Sequence, residues 1–169
     1  MVITQARVVD LDEFYPCFEE VMKEGYAGYS KALITHFTNN DYSKNNFYIW
    51  LERFLRVVYI AKEDGRTVGF IVGDNTYGGV AFVSWLGVLQ DYRKKGIGAS
   101  LYNTYENFAL SRKAHLIELY TYSKVQPFYL KLGFMEIGHR EEGYFGQPNI
   151  IMNKVLGKWS DSNIPTPKV

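Results

Sequence analysis

Several things this chain lacks narrow its reading first. Among 169 residues there is one cysteine, Cys17, so no internal disulfide can form. The three histidines, His36, His115 and His139, stand far apart, and no spacing of His, Cys and carboxylates matches a metal-ligand set. No apolar run reaches the length of a membrane span. The N-terminus lacks the basic-then-apolar order of a secretory leader, so the expected compartment is the cytoplasm. Charge of one sign is also missing. Nineteen Lys and Arg against 18 Asp and Glu give +1, which argues against nucleic acid or a membrane surface as a partner. Repeats and low-complexity tracts are absent. What is abundant is aromatic: 17% of the residues, including 14 Tyr, within a globular composition of 47% hydrophobic and 22% charged. Such a chain suits one domain with a full core.

The most informative stretch runs from Val80 to Leu101. Val80 to Leu89 is almost wholly apolar and reads as a strand buried on both faces. Gln90-Asp91-Tyr92 is a polar turn, and Arg93-Lys94-Lys95-Gly96-Ile97-Gly98 follows. A helical pattern then runs from Ala99 to about Arg112. Strand, basic glycine turn and helix start together make an anion site: successive N–H groups form a nest, and the helix N-terminus adds partial positive charge. Gly96 and Gly98 let backbone approach a phosphate closely. The inferred partner is a diphosphate. A dinucleotide fingerprint would need a third glycine where Leu101 stands, and the Gly-Lys-Ser/Thr of a P-loop is absent.

Elsewhere the pattern predicts a strand over Val2 to Val9. A helix follows from Asp10 to about Glu24, with an Asp10/Glu13 capping box and an inner face of Leu11, Phe14, Tyr15, Phe18, Val21 and Met22. Residues 25 to 29 break it. A short helix is expected around Lys31 to Phe37, and a longer one capped by Ser43 to about Leu55, with Phe47, Trp50, Leu51 and Phe54 inside. Val57 to Ala61, turned by Asp64-Gly65 into Thr67 to Val72, reads as a hairpin. Asn75 to Gly79 is a second turn. Later come a strand from His115 to Tyr122, a short helix with Pro127 in its first turn and Gly133 as its stop, and strands over Phe134 to His139 and Asn149 to Leu156. The domain is expected over residues 1–156, with 157–169 as a C-terminal tail that frays or packs on a partner. The order β-α-α-β-β-β-α-β-α-β-β predicts an α/β sandwich around a mixed sheet.

The motif R-x-x-G-x-G, Arg93 to Gly98, resembles the acetyl-CoA motif of the GNAT superfamily of N-acetyltransferases. The longer pattern Leu86-x-Val88-x-x-x-Tyr92-Arg93-x-x-Gly96-Ile97-Gly98 is similar to that family as well. So is Phe128-Tyr129-Leu130-Lys131-Leu132-Gly133-Phe134, which looks like the family's helix carrying a Tyr near the coenzyme A thiol. The resemblance covers roughly residues 2 to 156 and is strongest from 80 to 134. It implies a three-layer GNAT-like sandwich with a mixed, mostly antiparallel sheet flanked by helices. It also implies acetyl-CoA as cosubstrate and transfer of acetyl to a primary amine.

Acetyl transfer from a thioester needs a donor anchor, N–H groups that polarise the carbonyl, a base for the amine and a proton for the thiolate. The anchor implied is Arg93, Lys94, Lys95, Gly96, Ile97, Gly98, Ala99 and Ser100. Main chain at Leu86, Gly87 and Val88 would pair with pantetheine, the N–H near Val88 polarising the carbonyl. Gly87 permits close approach there, or packs under Tyr92. Tyr129 is implied as general acid beside the thiol. The base is Glu118, Asp74 or water; strand alternation leaves the facing of Glu118 open. Tyr122 stands where the family often has a donor-contacting Asn, with Thr121 and Ser123 beside it. Cys17, on the inner side of its helix and without a His at catalytic spacing, reads as a small hydrophobe, so transfer is expected to be direct. The resemblance puts the acceptor among Tyr26, Tyr29, His36, Phe37, Tyr42, Tyr144 and Phe145, or these rings fill the core. The expected partners are acetyl-CoA and an amine, with a homodimer left open. The competing class is a non-catalytic acyl-CoA-binding regulatory module of the same fold.

Overall fold

The structure, a computed structural model, describes residues 1–24, 28–74 and 76–164. In chain order its elements are β1 (Val2–Gln5), α1 (Leu11–Lys23), α2 (Lys31–Asn39), α3 (Lys44–Glu52), β2 (Arg56–Glu63), β3 (Arg66–Asp74) and β4 (Val80–Val88). There follow α4 (Ile97–Ser111), β5 (Leu116–Thr121), α5 (Gln126–Lys131), β6 (Met135–Arg140) and β7 (Asn149–Val155). The strands form a 7-stranded sheet in the order β1-β2-β3-β4-β5-β7-β6. Only β4 and β5 pair in parallel among the registers described; β1–β2, β5–β7 and β6–β7 are antiparallel. This is the expected α/β class, and the short helix expected around Lys31 to Phe37, which the predicted order left out, is α2. Among the described residues no helix is long and apolar enough to cross a membrane.

Two compact units divide the chain: Met1–Gly73 with Trp85–Tyr105, and Asp74–Ser84 with Glu106–Val169. In the first, Phe14, Phe18, Phe47 and Phe70 are fully buried. Phe14 meets Phe47 edge-on at 5.0 Å, and Phe18 lies 5.4 Å from Phe70. The expected inner face of α1 is buried throughout. Asp64 and Gly65 both take positive φ, 49° and 80°, as a two-residue hairpin turn requires. In the second unit Ile117 and Met152 are fully buried and Leu119 nearly so. Lys154 reaches Glu106 at 2.5 Å, fastening β7 to the second half of α4. The segment after β7 is held too: the Trp159 ring lies 5.4 Å from His115, and Asn163 Nδ2 donates to the Lys113 carbonyl at 3.1 Å.

Four expectations are corrected. The first strand stops at Gln5, and Val8–Asp10 form a 3-10 turn. Asp10 spends its carboxylate one turn upstream, accepting from the Arg7 N–H at 3.0 Å, so it does not cap α1. Glu13 pairs with Lys62 at 2.5 Å instead of closing a capping box. Phe54 is 72% exposed, because α3 ends at Glu52 and Phe54 turns to φ 53°. β4 is buried on one face only: Ala81, Val83, Trp85 and Gly87 are buried, while the residues between them are half-buried. An apolar run alone does not tell a doubly covered strand from one whose second face stays partly open.

Candidate active site

The basic turn lies in the first unit. Leu89 donates its N–H to the Val68 carbonyl at 3.0 Å, which carries the β3 pairing to the end of β4. Gln90–Tyr92 make one 3-10 turn. Lys94 (φ 62°) and Gly96 (φ 82°) are both left-handed, the alternation that turns successive N–H groups to one side. A Cβ on Gly96 would meet nothing within 4 Å, so the space over it is open. The Ser100 N–H bonds the Gly96 carbonyl at 3.0 Å and is the first rung of α4. The N–H groups of Ile97, Gly98 and Ala99 precede that rung, as at any helix start. A diphosphate fits this backbone, and a helix N-terminus favours an anion by about 0.3–1 kcal/mol. Lys95 Nζ rests over the Tyr92 ring at 5.0 Å. Arg93 folds back: its Nε donates to the Val88 carbonyl at 2.8 Å and its Nη2 to Glu24.

Glycines elsewhere let α4 lie close on β3. Gly69 and Gly73 share a face of β3. A Cβ on the first would lie 3.2 Å from Leu101 Cδ1, and on the second 2.3 Å from Tyr105 Cε2. On the other face Phe70 meets α1, and a Cβ on Gly87 would fall 2.6 Å from Phe70 Cζ and 2.8 Å from Val21 Cγ1. A side chain at Gly87 would therefore meet Phe70 and Val21; Tyr92 is not among its three nearest contacts.

In the second unit, Pro127 occupies the first turn of α5 and Gly133 (φ 90°) stops it, as expected. Tyr129 is 6% exposed, its ring edge-on to Phe128 at 5.1 Å and Phe134 at 5.5 Å. Burial, with a smaller push from Tyr122, raises its phenol well above the ordinary value of 10.0, so it stays a neutral donor. Glu118 faces the half-buried side of β5 with Leu116 and Tyr120. Cross-strand register sets it between Phe82 of β4 and Asn153 of β7. The Asn153 Oδ1 is buried without a hydrogen-bond partner. Tyr120 is flanked by Phe82 at 5.1 Å and Tyr144 at 5.5 Å, with the Arg140 guanidinium 5.1 Å over its ring. The β4–β5 register ends at Val83↔Leu119, and β4 runs on to Val88. Asp74 closes β3.

Residues 16–134 match the model of the Acetyltransferase (GNAT) family. The chain belongs to that family. It is an acetyltransferase with acetyl-CoA as cosubstrate. A PaiA N-acetyltransferase from Thermoplasma acidophilum, solved with coenzyme A, is 25% identical, with 92% of this chain and 99% of that one covered and a TM-score of 0.77. A ribosomal-protein-alanine N-acetyltransferase from Brucella melitensis is 20% identical over 92% and 100% of the two chains (TM-score 0.73). An aminoglycoside 6'-acetyltransferase type Ii is 24% identical over 99% and 100% (TM-score 0.70). These two share the fold. Comparison with curated proteins gives no significant match.

Of the aromatics read as a GNAT acceptor slot, one is core and Tyr42 is half-buried. Phe37 is buried, and Tyr42 packs 4.9 Å from Trp85 and 5.6 Å from Trp50. Tyr29 meets Phe37 at 5.5 Å, and His36 faces Asp41 at 3.4 Å. Tyr26 lies outside the described residues. Tyr144 and Phe145 are exposed, and Tyr144 reaches the face that carries Glu118. Phe82, Tyr120, Arg140 and Asn153, which share that face or reach over it, were not read from the sequence. Their signal is strand register, which no local pattern supplies. Cys17 is buried and its thiol is pushed up to about 12, by burial first and by Glu20 second. That leaves it protonated and a poor nucleophile.

Proposed function

We propose that this acetyltransferase moves acetyl directly from acetyl-CoA to a primary amine, with no acetyl-enzyme on the way. The observation that carries the donor half is the left-handed Lys94/Gly96 turn leading into α4, with open space over Gly96. The anchor is Arg93 to Ser100. Leu86 to Val88 present main chain to pantetheine, and an N–H near Val88 polarises the acetyl carbonyl. Acetyl-CoA supplies the activated acetyl group and a thiolate leaving group. Tyr129 donates its phenolic proton, or a strong hydrogen bond, to the sulfur; burial that keeps this phenol neutral supports the role. Glu118 takes the amine proton, ahead of Asp74 or water. Its support is the half-open face it shares with Phe82, Tyr120 and the buried Asn153 Oδ1, where a carboxylate, an unpaired amide oxygen and aromatic rings suit an amine. The cytoplasm remains the expected compartment.

The test of the anchor is calorimetric titration with coenzyme A. Wild type should bind, and Gly98→Asp, which adds a side chain and a negative charge at the helix start, should not. Unchanged affinity in a folded Gly98→Asp protein overturns the anchor. The acceptor is sought with a panel of polyamines, an aminoglycoside, free lysine and peptides with an N-terminal alanine, following coenzyme A thiol release.

A further inference from the structure

Arg93 reads in the sequence as a charge offered to a diphosphate, yet its bonds run back into the fold. The Nε donates to the carbonyl of Val88, the last residue of β4, at 2.8 Å. The Nη2 donates to Glu24 Oε2. The other oxygen of that carboxylate, Oε1, accepts the Gln90 N–H at 3.3 Å. Glu24 is the C-cap residue of α1, and its side chain is 19% exposed against 44% for Arg93. One carboxylate and one guanidinium thus hold the end of the strand, the start of the 3-10 turn and the start of the basic turn. The residue that follows, Lys94, sits in a left-handed conformation that an L residue keeps only when its surroundings impose it.

We propose that Glu24 and Arg93 are a positioning pair that presets the donor turn, and that Arg93 aids coenzyme A binding through geometry rather than by pairing its charge with the diphosphate. The proposal rests on the anchor assigned above and deepens it. The two roles for Arg93 predict opposite signs. If Arg93 pairs directly with phosphate, removing the Glu24 charge frees the guanidinium and takes away a repelling carboxylate, so affinity rises. If the pair is a staple, the same change releases the Gln90 N–H and the Arg93 fork, and affinity falls. Arg93→Lys separates them again. A lysine keeps the charge, but its single nitrogen cannot reproduce a fork that bonds the Val88 carbonyl and Glu24 together.

The experiment titrates coenzyme A by calorimetry into wild type, Glu24→Gln, Arg93→Gln, Arg93→Lys and the Glu24→Gln/Arg93→Gln double variant, with melting curves for each. Every single variant should bind about tenfold more weakly, the effect of losing one hydrogen bond to a charged group. The double should be no weaker than the poorer single, because both changes open one staple. The dependence of affinity on salt should match wild type in Glu24→Gln and Arg93→Gln, since no charge–phosphate contact is lost. Tighter or unchanged binding by Glu24→Gln overturns the proposal, and so does wild-type affinity in Arg93→Lys. Where Glu24→Gln melts too low to titrate, Arg93→Lys decides. If wild type itself does not bind coenzyme A, the donor anchor fails first and takes the staple with it; wild-type binding with unaffected variants removes the staple alone.

Discussion

Tyr129→Phe is the sharpest perturbation of the proposed chemistry. It deletes one oxygen and keeps the ring, so the edge contacts with Phe128 and Phe134 survive. The backbone is held independently, with the Tyr129 carbonyl accepting from Leu132 at 3.0 Å and Phe134 at 3.1 Å. A change in folding should therefore stay within about 1 kcal/mol. The hydroxyl matters when the sulfur gains negative charge, so its bond is stronger in the transition state than before it. Losing one donor to developing charge commonly costs about 3 kcal/mol. Two features of Tyr129 pull against each other. At 6% exposure the donor works where water does not compete, which raises its worth. A thiolate leaves readily without help, which lowers it. The low end follows, about 1.4–2.8 kcal/mol, a ten- to hundredfold drop in kcat with little change in coenzyme A affinity. The assay is thiol release at saturating acetyl-CoA with an amine from the panel, beside calorimetry. Because burial raises the phenol pKa, the donor form persists as pH climbs, and Tyr129 should impose no alkaline loss of kcat below about pH 10. Unchanged turnover in a folded Tyr129→Phe protein would show that the ring only packs.

Three further outcomes are expected. Glu118→Gln should cut kcat/KM about a hundredfold or more, most steeply at low pH where free amine is scarce; an unaltered pH–rate profile leaves Asp74 or water as the route. Cys17→Ala should cost about 1 kcal/mol of stability and keep most activity, and mass spectrometry after donor alone should find no acetyl on Cys17. Gly73→Ala should destabilise by about 1–3 kcal/mol, because its Cβ would lie 2.3 Å from Tyr105 Cε2 in a fully buried ring; a melting temperature equal to wild type would mean that Tyr105 has room to move.

What the sequence made legible was local. Gly96 after a basic run, Asp64-Gly65 between alternating strands, and Pro127 with Gly133 around a short helix all act within a few residues, and each stands where it was read. What it hid depends on partners distant in the chain. The Arg93 side chain lies in a recognisable motif, but its destination, Glu24, is 69 residues away. Strand alternation left the facing of Glu118 open; what covers β5 leaves it on the half-buried side with Leu116 and Tyr120, and its cross-strand neighbours there, Phe82 and Asn153, are distant in the chain. For Phe37 the resemblance left slot and core both open, and core packing holds, because the Trp85 ring that meets it at 5.8 Å comes from another element. Asp10 does not cap α1 because both its oxygens are engaged elsewhere, one by the Arg7 N–H and one by Lys62, 52 residues away.

The proposed donor turn also depends on packing outside its motif, and a length mismatch shows how. Gly69 and Gly73 are four residues apart in a strand, roughly 13 Å. Leu101 and Tyr105, which cover them, are four apart in a helix, roughly 6 Å. Two equal side chains could not cover both glycines. Leu101 meets Gly69 through a short branch, its Cδ1, whereas Tyr105 reaches Gly73 with the far end of its ring, Cε2, Cζ and the hydroxyl oxygen. Tyrosine's extra length closes the gap that the two rises leave. The seat fixes α4 along and across β3, and α4 begins one residue after Gly96. A side chain added at Gly73 therefore pushes at the far end of a lever whose near end is the row of N–H groups at Ile97, Gly98 and Ala99. Packing in β3 and the anion binding proposed at α4 are then one mechanical problem, and the glycines that solve it carry no motif of their own.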